Sequence, residues 1–501
     1  MSYMSNERGK SALAMSIWLF MLGVYPLLFN PFKLGSSETA SGLSSAKVSV
    51  IISSASRPSP EMVWILPREI LLFLFAALSL LYIMDNYKTS RVVWLAIAYS
   101  LLAAASGALS GDSADLTLLG SAGRGDGLLY AMAITLLLIF SYLLGLRFNK
   151  RTGDLLGKVI VYSAAIESLV VLLQRLGIDV IGSVTRGEPY PVITGTIGNP
   201  GMAAAFLLPA VIIAVYFCSR NSHAGKKGYL LTAAMVVISV ALGLTANRSS
   251  ILAMLVALPV LIAVGAGDRK KTYLNAALSV LLVLTAPIIV PNGSSGRNIL
   301  SAHSLKTRLL IWRLAADITL HTKGQPLLGG GFDALRSGII KQDRRKQYLD
   351  VYRQGLRLPP GQSYAGSKWI PEDAPPDRNS ALLVKVHDST TNKTSYSVIA
   401  IELDKAHNLF LDRALTTGIL SSLIWLWLYL AGIAGGLATR RSDMAVLYSV
   451  VLLALLVYYL FWFPVPQVEP VHVAILGVAL ALAEKSRPDK GENGVVISPQ
   501  G

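Results

Sequence analysis

The sequence predicts an all-α polytopic membrane protein: about twelve transmembrane helices and one large outer loop with amphipathic helices and a candidate small β-hairpin. Three observations predict it. The 501-residue chain is 53% hydrophobic, has a mean hydropathy of +0.53 and is only 15% charged, where soluble domains carry about a quarter charged residues. Several apolar runs reach the roughly 17 to 25 residues that a bilayer-spanning helix needs. Alternate connections between those runs are short and basic, the pattern of cytoplasmic loops.

The N-terminal "MSYMSNERGKSALAMSIWLFMLGVYPLLF" has a basic head and an apolar core but no small-residue cleavage site before Asn30. It reads as a retained first span rather than a cleaved signal peptide. Spans are expected at 12–29, 65–83, 92–108, 128–146, 157–175, 201–218, 228–245, 249–266, 273–291, 413–436, 443–463 and 469–484. With the N-terminus in the cytoplasm, the inner connections are "DNYKTSR", "RFNKRTGDLLGK", "CSRNSHAGKKG", "GAGDRKK" and "ATRRSD", and the tail begins "EKSRPDK". The chain therefore divides into nine spans (1–291), the outer loop (292–412), three more spans (413–484) and a disordered cytoplasmic tail (485–501). The net charge of +16 records topology and contact with anionic lipid, so no nucleic-acid partner is expected. A single cysteine, Cys218, rules out an intrachain disulfide or a thiolate metal site.

Within the loop, "SLKTRLLIWRLAADITLHTKGQPLLGGGF" places Leu305, Leu309, Trp312, Ala316 and Leu320 at helical spacing, and Gly324 and Pro326 stop the helix. "LPPGQSYAGSKWIPEDAPPDRN" reads as an irregular, proline-rich segment. "ALLVKVHDSTTNKTSYSVIAIEL" alternates apolar and polar residues around a polar turn, which predicts a hairpin. No repeat of fixed period is visible.

Polar groups at or inside a bilayer are costly, which makes them functional candidates. Arg248 sits in "GLTANRSSILAML", a turn between two spans, where the plain alternative is a snorkelling arginine. Arg308 lies four residues before Trp312 on the loop helix. Its planar fork suits phosphate oxygens, and a cation–π pair with Trp312 is the structural alternative. Arg124 lies among glycines in "GSAGRGDGLLYAM", which is either a close-approach site or a polar turn. "TGTIGNPGMAAAF" opens a span with Gly195, Gly198, Asn199 and Pro200, a helix N-terminus that could face an anion or a sugar. His407, next to Asn408 at the outer end of a span, suits proton transfer near neutral pH, with a structural interfacial histidine as the plain alternative. The other five histidines form no ligand spacing, so no metal or other cofactor is expected. Glu167, inside a span, is the carboxylate that a transporter would use for ion coupling, with a helix–helix hydrogen bond or an arginine partner as its structural role.

The order of these segments resembles the O-antigen ligase and O-antigen polymerase superfamily of bacterial membrane glycosyltransferases. "TGTIGNPGMAA" resembles its span-opening Gly-Asn motif and "LTANRSSILA" its turn arginine. "RLLIWRLAADITLHTKGQPLLGGGF" is similar to its Arg-Trp helix followed by Pro-Leu-Leu-Gly-x-Gly, and "DKAHNLFLDRALTTGIL" to its His-Asn motif; "GRGDGLL" also looks like an arginine-glycine element of the family. The resemblance implies a metal-independent inverting transferase in the bacterial cytoplasmic membrane, with both termini inside and its site outside. The donor it implies is a glycan on undecaprenyl diphosphate, used in lipopolysaccharide or other polysaccharide biosynthesis. Arg248 and Arg308 would bind the diphosphate, His407 would be the base, and Arg124, Asn199, Trp312 and Asn408 would contact substrate. Residues 341–400 depart from a compact ligase loop, leaving the acceptor open between glycolipid, growing glycan and protein. His407, Arg248 and Arg308 are expected to converge on one outer-facing cavity.

Overall fold

The computed structural model describes residues 2–28, 62–121, 124–178, 194–220, 226–265, 268–289, 303–321, 325–356, 362–370, 381–389, 391–401, 403–439 and 442–486. Expectations for the outer stretch 30–61, for 179–193, for 292–302 and for the tail from 487 lie outside the described residues.

The protein is mostly helical, with a small antiparallel sheet. The apolar helices are α1 (Ser2–Val24), α2 (Met62–Asn86), α3 (Arg91–Leu109), then, after the short α4 (Ala114–Leu119), α5 (Leu128–Gly145), α6 (Lys150–Arg175), α7 (Pro200–Arg220), α8 (Lys226–Leu244), α9 (Arg248–Ala263) and α10 (Arg269–Ile289). The loop region forms α11 (His303–His321), α12 (Gln325–Leu328), α13 (Ala334–Lys341) and α14 (Arg345–Leu356), followed by the sheet; the chain closes with α15 (Leu409–Thr417), α16 (Ile419–Thr439), α17 (Asp443–Tyr459) and α18 (Glu469–Lys485). Each of the twelve expected segments overlaps a helix. Among the described residues, seven are long and apolar enough to cross a membrane: Pro67–Asn86, Arg91–Leu109, Leu128–Gly145, Lys150–Arg175, Pro200–Arg220, Arg269–Ile289 and Ile419–Ala438.

Polar caps explain where several helices begin. The Ser90 hydroxyl accepts from Val93 N–H at 3.2 Å and the Asn149 side chain from Thr152 N–H at 2.9 Å, satisfying donors that an α-helix cannot use in its first turn. Asn247 does the same for α9, accepting from Ser250 N–H at 2.9 Å. α7 is enclosed along its whole apolar length, with α6, α8, α9, α10 and α17 packed against it. α5 and α18 approach closely at Gly477, where a Cβ would stand 2.9 Å from both the Leu138 carbonyl oxygen and the Tyr142 nitrogen.

The loop region has its own core, and here two expectations are corrected. The buried stripe of α11 is Ile311, Leu314, Ala315 and Ile318, whereas Leu305, Leu309 and Leu320 are 50%, 45% and 62% exposed. The helix carries two apolar stripes, and spacing alone does not say which one meets α13, α14 and the sheet. The expected hairpin is present as β2 (Ala381–Asp388) and β3 (Lys393–Ala400), with Asp388 opposite Lys393. The segment expected to be irregular instead supplies a third strand, β1 (Gln362–Ile370), antiparallel to β2 and bulged between Tyr364 and Gly366. Its alternation is weak in sequence. Pairing with β2 and burial of Trp369 select the strand, a case of tertiary context overriding local preference.

Gly477→Leu is expected to cost about 1–3 kcal/mol, the range for overpacking, read as a lower thermal midpoint in detergent. An unchanged midpoint would mean that α5 and α18 do not meet this closely.

Candidate active site

The turn Asp404-Lys405-Ala406-His407-Asn408 leads into α15, and every residue flanking the histidine is tied to another part of the chain. Asp404 accepts two bonds from the Arg124 guanidinium, 2.7 Å from Nε and 3.1 Å from Nη2. Lys405 Nζ pairs with the Asp126 carboxylate. The Ala406 N–H donates to Asp412 Oδ1 at 2.7 Å. Asn408 caps α15, accepting from the N–H groups of Phe410 and Leu411 at 2.9 and 3.0 Å, and its Nδ2 donates to the Leu460 carbonyl at 2.8 Å. Between them His407 adopts a left-handed backbone, φ +53°, which histidine visits more readily than most residues.

The imidazole is placed by aromatic rings. It meets Trp462 and Phe463 edge-on at centroid distances of 5.5 and 5.0 Å, and those two rings stack on each other. Each ring also carries an arginine: the Arg308 Cζ lies 5.8 Å from the Trp462 centroid and the Arg124 Cζ 4.9 Å from the Phe463 centroid. Arg308 also donates to Ser249 Oγ at 3.3 Å, next to Arg248, whose charge reaches it. Thus His407, Arg308 and Arg124 gather around one aromatic pair, and Arg248 joins them through Arg308.

Two glycines lock the loop to α15. Gly329 and Gly418 both have left-handed backbones (φ +78° and +92°). A Cβ on the first would stand 2.4 Å from the Thr416 carbonyl oxygen, and on the second 1.9 Å from that of Leu327. Gly330 and Gly331 N–H groups donate to the Leu415 and Thr416 carbonyls at 2.7 and 3.1 Å, respectively. The Pro-Leu-Leu-Gly-Gly-Gly segment after α11 therefore fixes that helix, and Arg308 with it, against the helix that follows His407.

Asn199 accepts from Gly201 N–H at 2.8 Å at the start of α7. Gly201 in turn lies under Trp462, where a Cβ would stand 2.4 Å from the ring. The preceding turn is held from behind by Glu167, which accepts from Thr196 N–H at 3.0 and 3.1 Å and from Thr196 Oγ1 at 2.6 Å. Glu167 thus makes a structural hydrogen bond, to a turn rather than to the neighbouring helix or the arginine weighed against ion coupling. Arg308 rests on Trp462 and not on Trp312, correcting the alternative pairing. Trp312 lies against Phe461 at 5.9 Å, and its buried Nε1, like that of Trp462, has no hydrogen-bond partner among the described residues. Both groups of Asn408 are engaged by backbone, so its role is positional.

Sequence reasoning missed the "FWFPVP" segment, residues 461–466, because it reads as the end of an apolar span. Pro464 and Pro466, which break a helix, and three adjacent aromatics at a span end are the signals that could have found it. It also gave no role to Asp404, Lys405 or Asp412.

Burial first, and then the positive charge of Arg308, lower the His407 pKa from its ordinary range to about 4; Asp404 opposes this and Arg124 adds to it. The imidazole is thus neutral at pH 7, and a weaker base than the near-neutral histidine expected from the sequence, because burial disfavours its charged form. Burial and the neighbouring Arg248 likewise hold the Arg308 pKa below its usual value. Compared with known proteins, the chain matches no family model and no curated protein.

Asn408→Ala is expected to lower stability by about 1–2 kcal/mol, as for loss of an N-cap, read as a lower thermal midpoint. A midpoint equal to wild type would mean that the cap does not hold the turn.

Proposed function

We propose that the chain is a membrane glycosyltransferase that moves a glycan from undecaprenyl diphosphate to an acceptor hydroxyl at the outer face of the bacterial cytoplasmic membrane. An O-antigen ligase is the favoured form. A repeat-unit polymerase and a protein O-oligosaccharyltransferase share the chemistry and differ in acceptor. The observation that carries this reading is the convergence of a neutral imidazole with Arg308 and Arg124 on the stacked Trp462 and Phe463 rings. The proposed topology has twelve spans, cytoplasmic termini and residues 292–412 outside.

In this mechanism the acceptor oxygen bonds to the anomeric carbon as the bond from that carbon to the diphosphate oxygen breaks. His407 takes the hydroxyl proton, and the negative charge developing on the diphosphate is met by Arg308 and Arg248. A single displacement inverts the anomeric centre. The buried indole N–H groups of Trp312 and Trp462 are further donors for diphosphate or sugar oxygens. Arg124, held by Asp404, is assigned to fixing the base segment. A transporter is the non-enzymatic alternative. Its expected coupling carboxylate, Glu167, instead holds the Thr196 turn.

The test is transfer by purified protein in detergent, with chelator present, from a lipid-diphosphate-linked glycan. Wild type is expected to release undecaprenyl diphosphate, His407→Ala and Arg308→Ala to reduce the rate at least about a hundredfold, and the product to name the acceptor. Two variants as active as wild type would contradict the site assignment.

The pH profile gives a second test. Because the folded His407 pKa is lowered, the base remains competent as pH falls from the neutral range and is lost on crossing about pH 4. kcat/KM is therefore expected to be level through pH 5–8, with its acid limb near pH 4. Residual activity of Arg308→Ala should have that limb at higher pH, since one depressing charge is removed. A wild-type limb near pH 6.5 would contradict this.

A further inference from the structure

Behind the histidine turn lies a buried polar cluster that the mechanism does not use. Arg413 Nη2 donates to Glu469 Oε1 at 2.5 Å, and the Tyr130 hydroxyl donates to Glu469 Oε2 at 2.8 Å. Lys405 pairs with Asp126. These groups and Asp412 surround a cavity of about 20 Å³, enough for one water, which needs roughly 10–15 Å³ and two to four polar partners.

Three buried atoms on residues lining it have no protein partner among the described residues: Asp126 Oδ1, Asp412 Oδ2 and Arg413 Nε. Asp412 and Arg413 are only 3% and 7% exposed. Their chemistry is complementary to water, which can donate to the two carboxylate oxygens and accept from the guanidinium N–H. A metal cation would oppose that N–H donor. Leaving such atoms unmatched would carry the desolvation penalty of each buried polar group.

We infer that this cavity holds one ordered water bridging Asp126, Asp412 and Arg413, and that Asp412 is the positioning residue that aims His407. The water fixes one carboxylate oxygen of Asp412. The other accepts the Ala406 N–H at 2.7 Å, which holds the peptide immediately before His407. The same water links Asp126, next to the Arg124 turn, to α15, so the two segments bearing Arg124 and His407 share one buried tie. A side-chain amide reproduces these contacts: its oxygen accepts from Ala406 N–H and its NH2 donates to the water. Three carboxyl groups face two basic groups here, so removing one acid leaves the cluster matched.

The kinetic arm of the test rests on the transferase reading; the labelling arm does not. In Asp412→Ala, kcat is expected to fall at least about tenfold with the donor KM within about threefold of wild type. Diethyl pyrocarbonate should modify His407, mapped by mass spectrometry, at least about tenfold faster. Asp412→Asn should keep all three within about threefold of wild type. Asp412→Glu, which shifts the carboxylate by one methylene, should behave like alanine and replaces it if the alanine variant does not accumulate. Slow, wild-type labelling in the alanine or glutamate variant, or labelling of the asparagine variant as fast as theirs, overturns the assignment. If wild type transfers no glycan, the transferase reading fails and the labelling rates alone decide the positioning role.

Discussion

The left-handed backbone at His407 is the constraint on which the rest of the site depends. A non-glycine residue in that conformation is held at a cost of order 1–3 kcal/mol and persists only where its surroundings over-determine it. Here they do. Asp404 is anchored to Arg124, Lys405 to Asp126, the Ala406 amide to Asp412 and Asn408 to Leu460. Four anchors on three parts of the chain, the Arg124–Asp126 turn, α15 and Leu460, leave the imidazole as the side chain of the turn that is turned toward the aromatic pair.

That turn would be useless without a fixed partner charge, and the loop region supplies it. α11 has its own small core, so it behaves as a body that must be registered against the membrane helices. The back-to-back glycines 329 and 418 make that registration with backbone rather than side chains, which leaves little rotamer freedom between Arg308 and His407. Trp462 then serves as a common surface: Arg308 rests on it, His407 meets its edge, and the first turn of α7 packs beneath it. Burial is the main cause of the lowered His407 pKa, and low-dielectric surroundings strengthen the further lowering by Arg308 and Arg124.

Much of this was legible in the sequence for one reason. An arginine or histidine beside a long apolar run is costly, so Arg124, Arg248, Arg308 and His407 stand out in a single window. The apolar runs themselves give the helices, and alternation gives the β2–β3 hairpin. What escaped reading depends on contacts distant in sequence. β1 is a strand because β2 pairs with it, and the buried stripe of α11 is chosen by α13 and α14. Trp462 and Phe463 lie at the end of an apolar run, where an aromatic residue looks the same whether it meets lipid or a histidine 55 or 56 residues away. Asn408 caps α15 and ties the turn to Leu460, and a capping amide has the same sequence signature as one that faces a ligand.

The most direct test of the central claim is cryo-electron microscopy of the protein in lipid nanodiscs with undecaprenyl diphosphate bound. The diphosphate is expected within hydrogen-bonding distance of the Arg308 guanidinium, with Arg248 alongside and the His407 ring facing the space that the transferred sugar and the acceptor hydroxyl would occupy. A diphosphate held elsewhere, with His407 facing only protein, would contradict it.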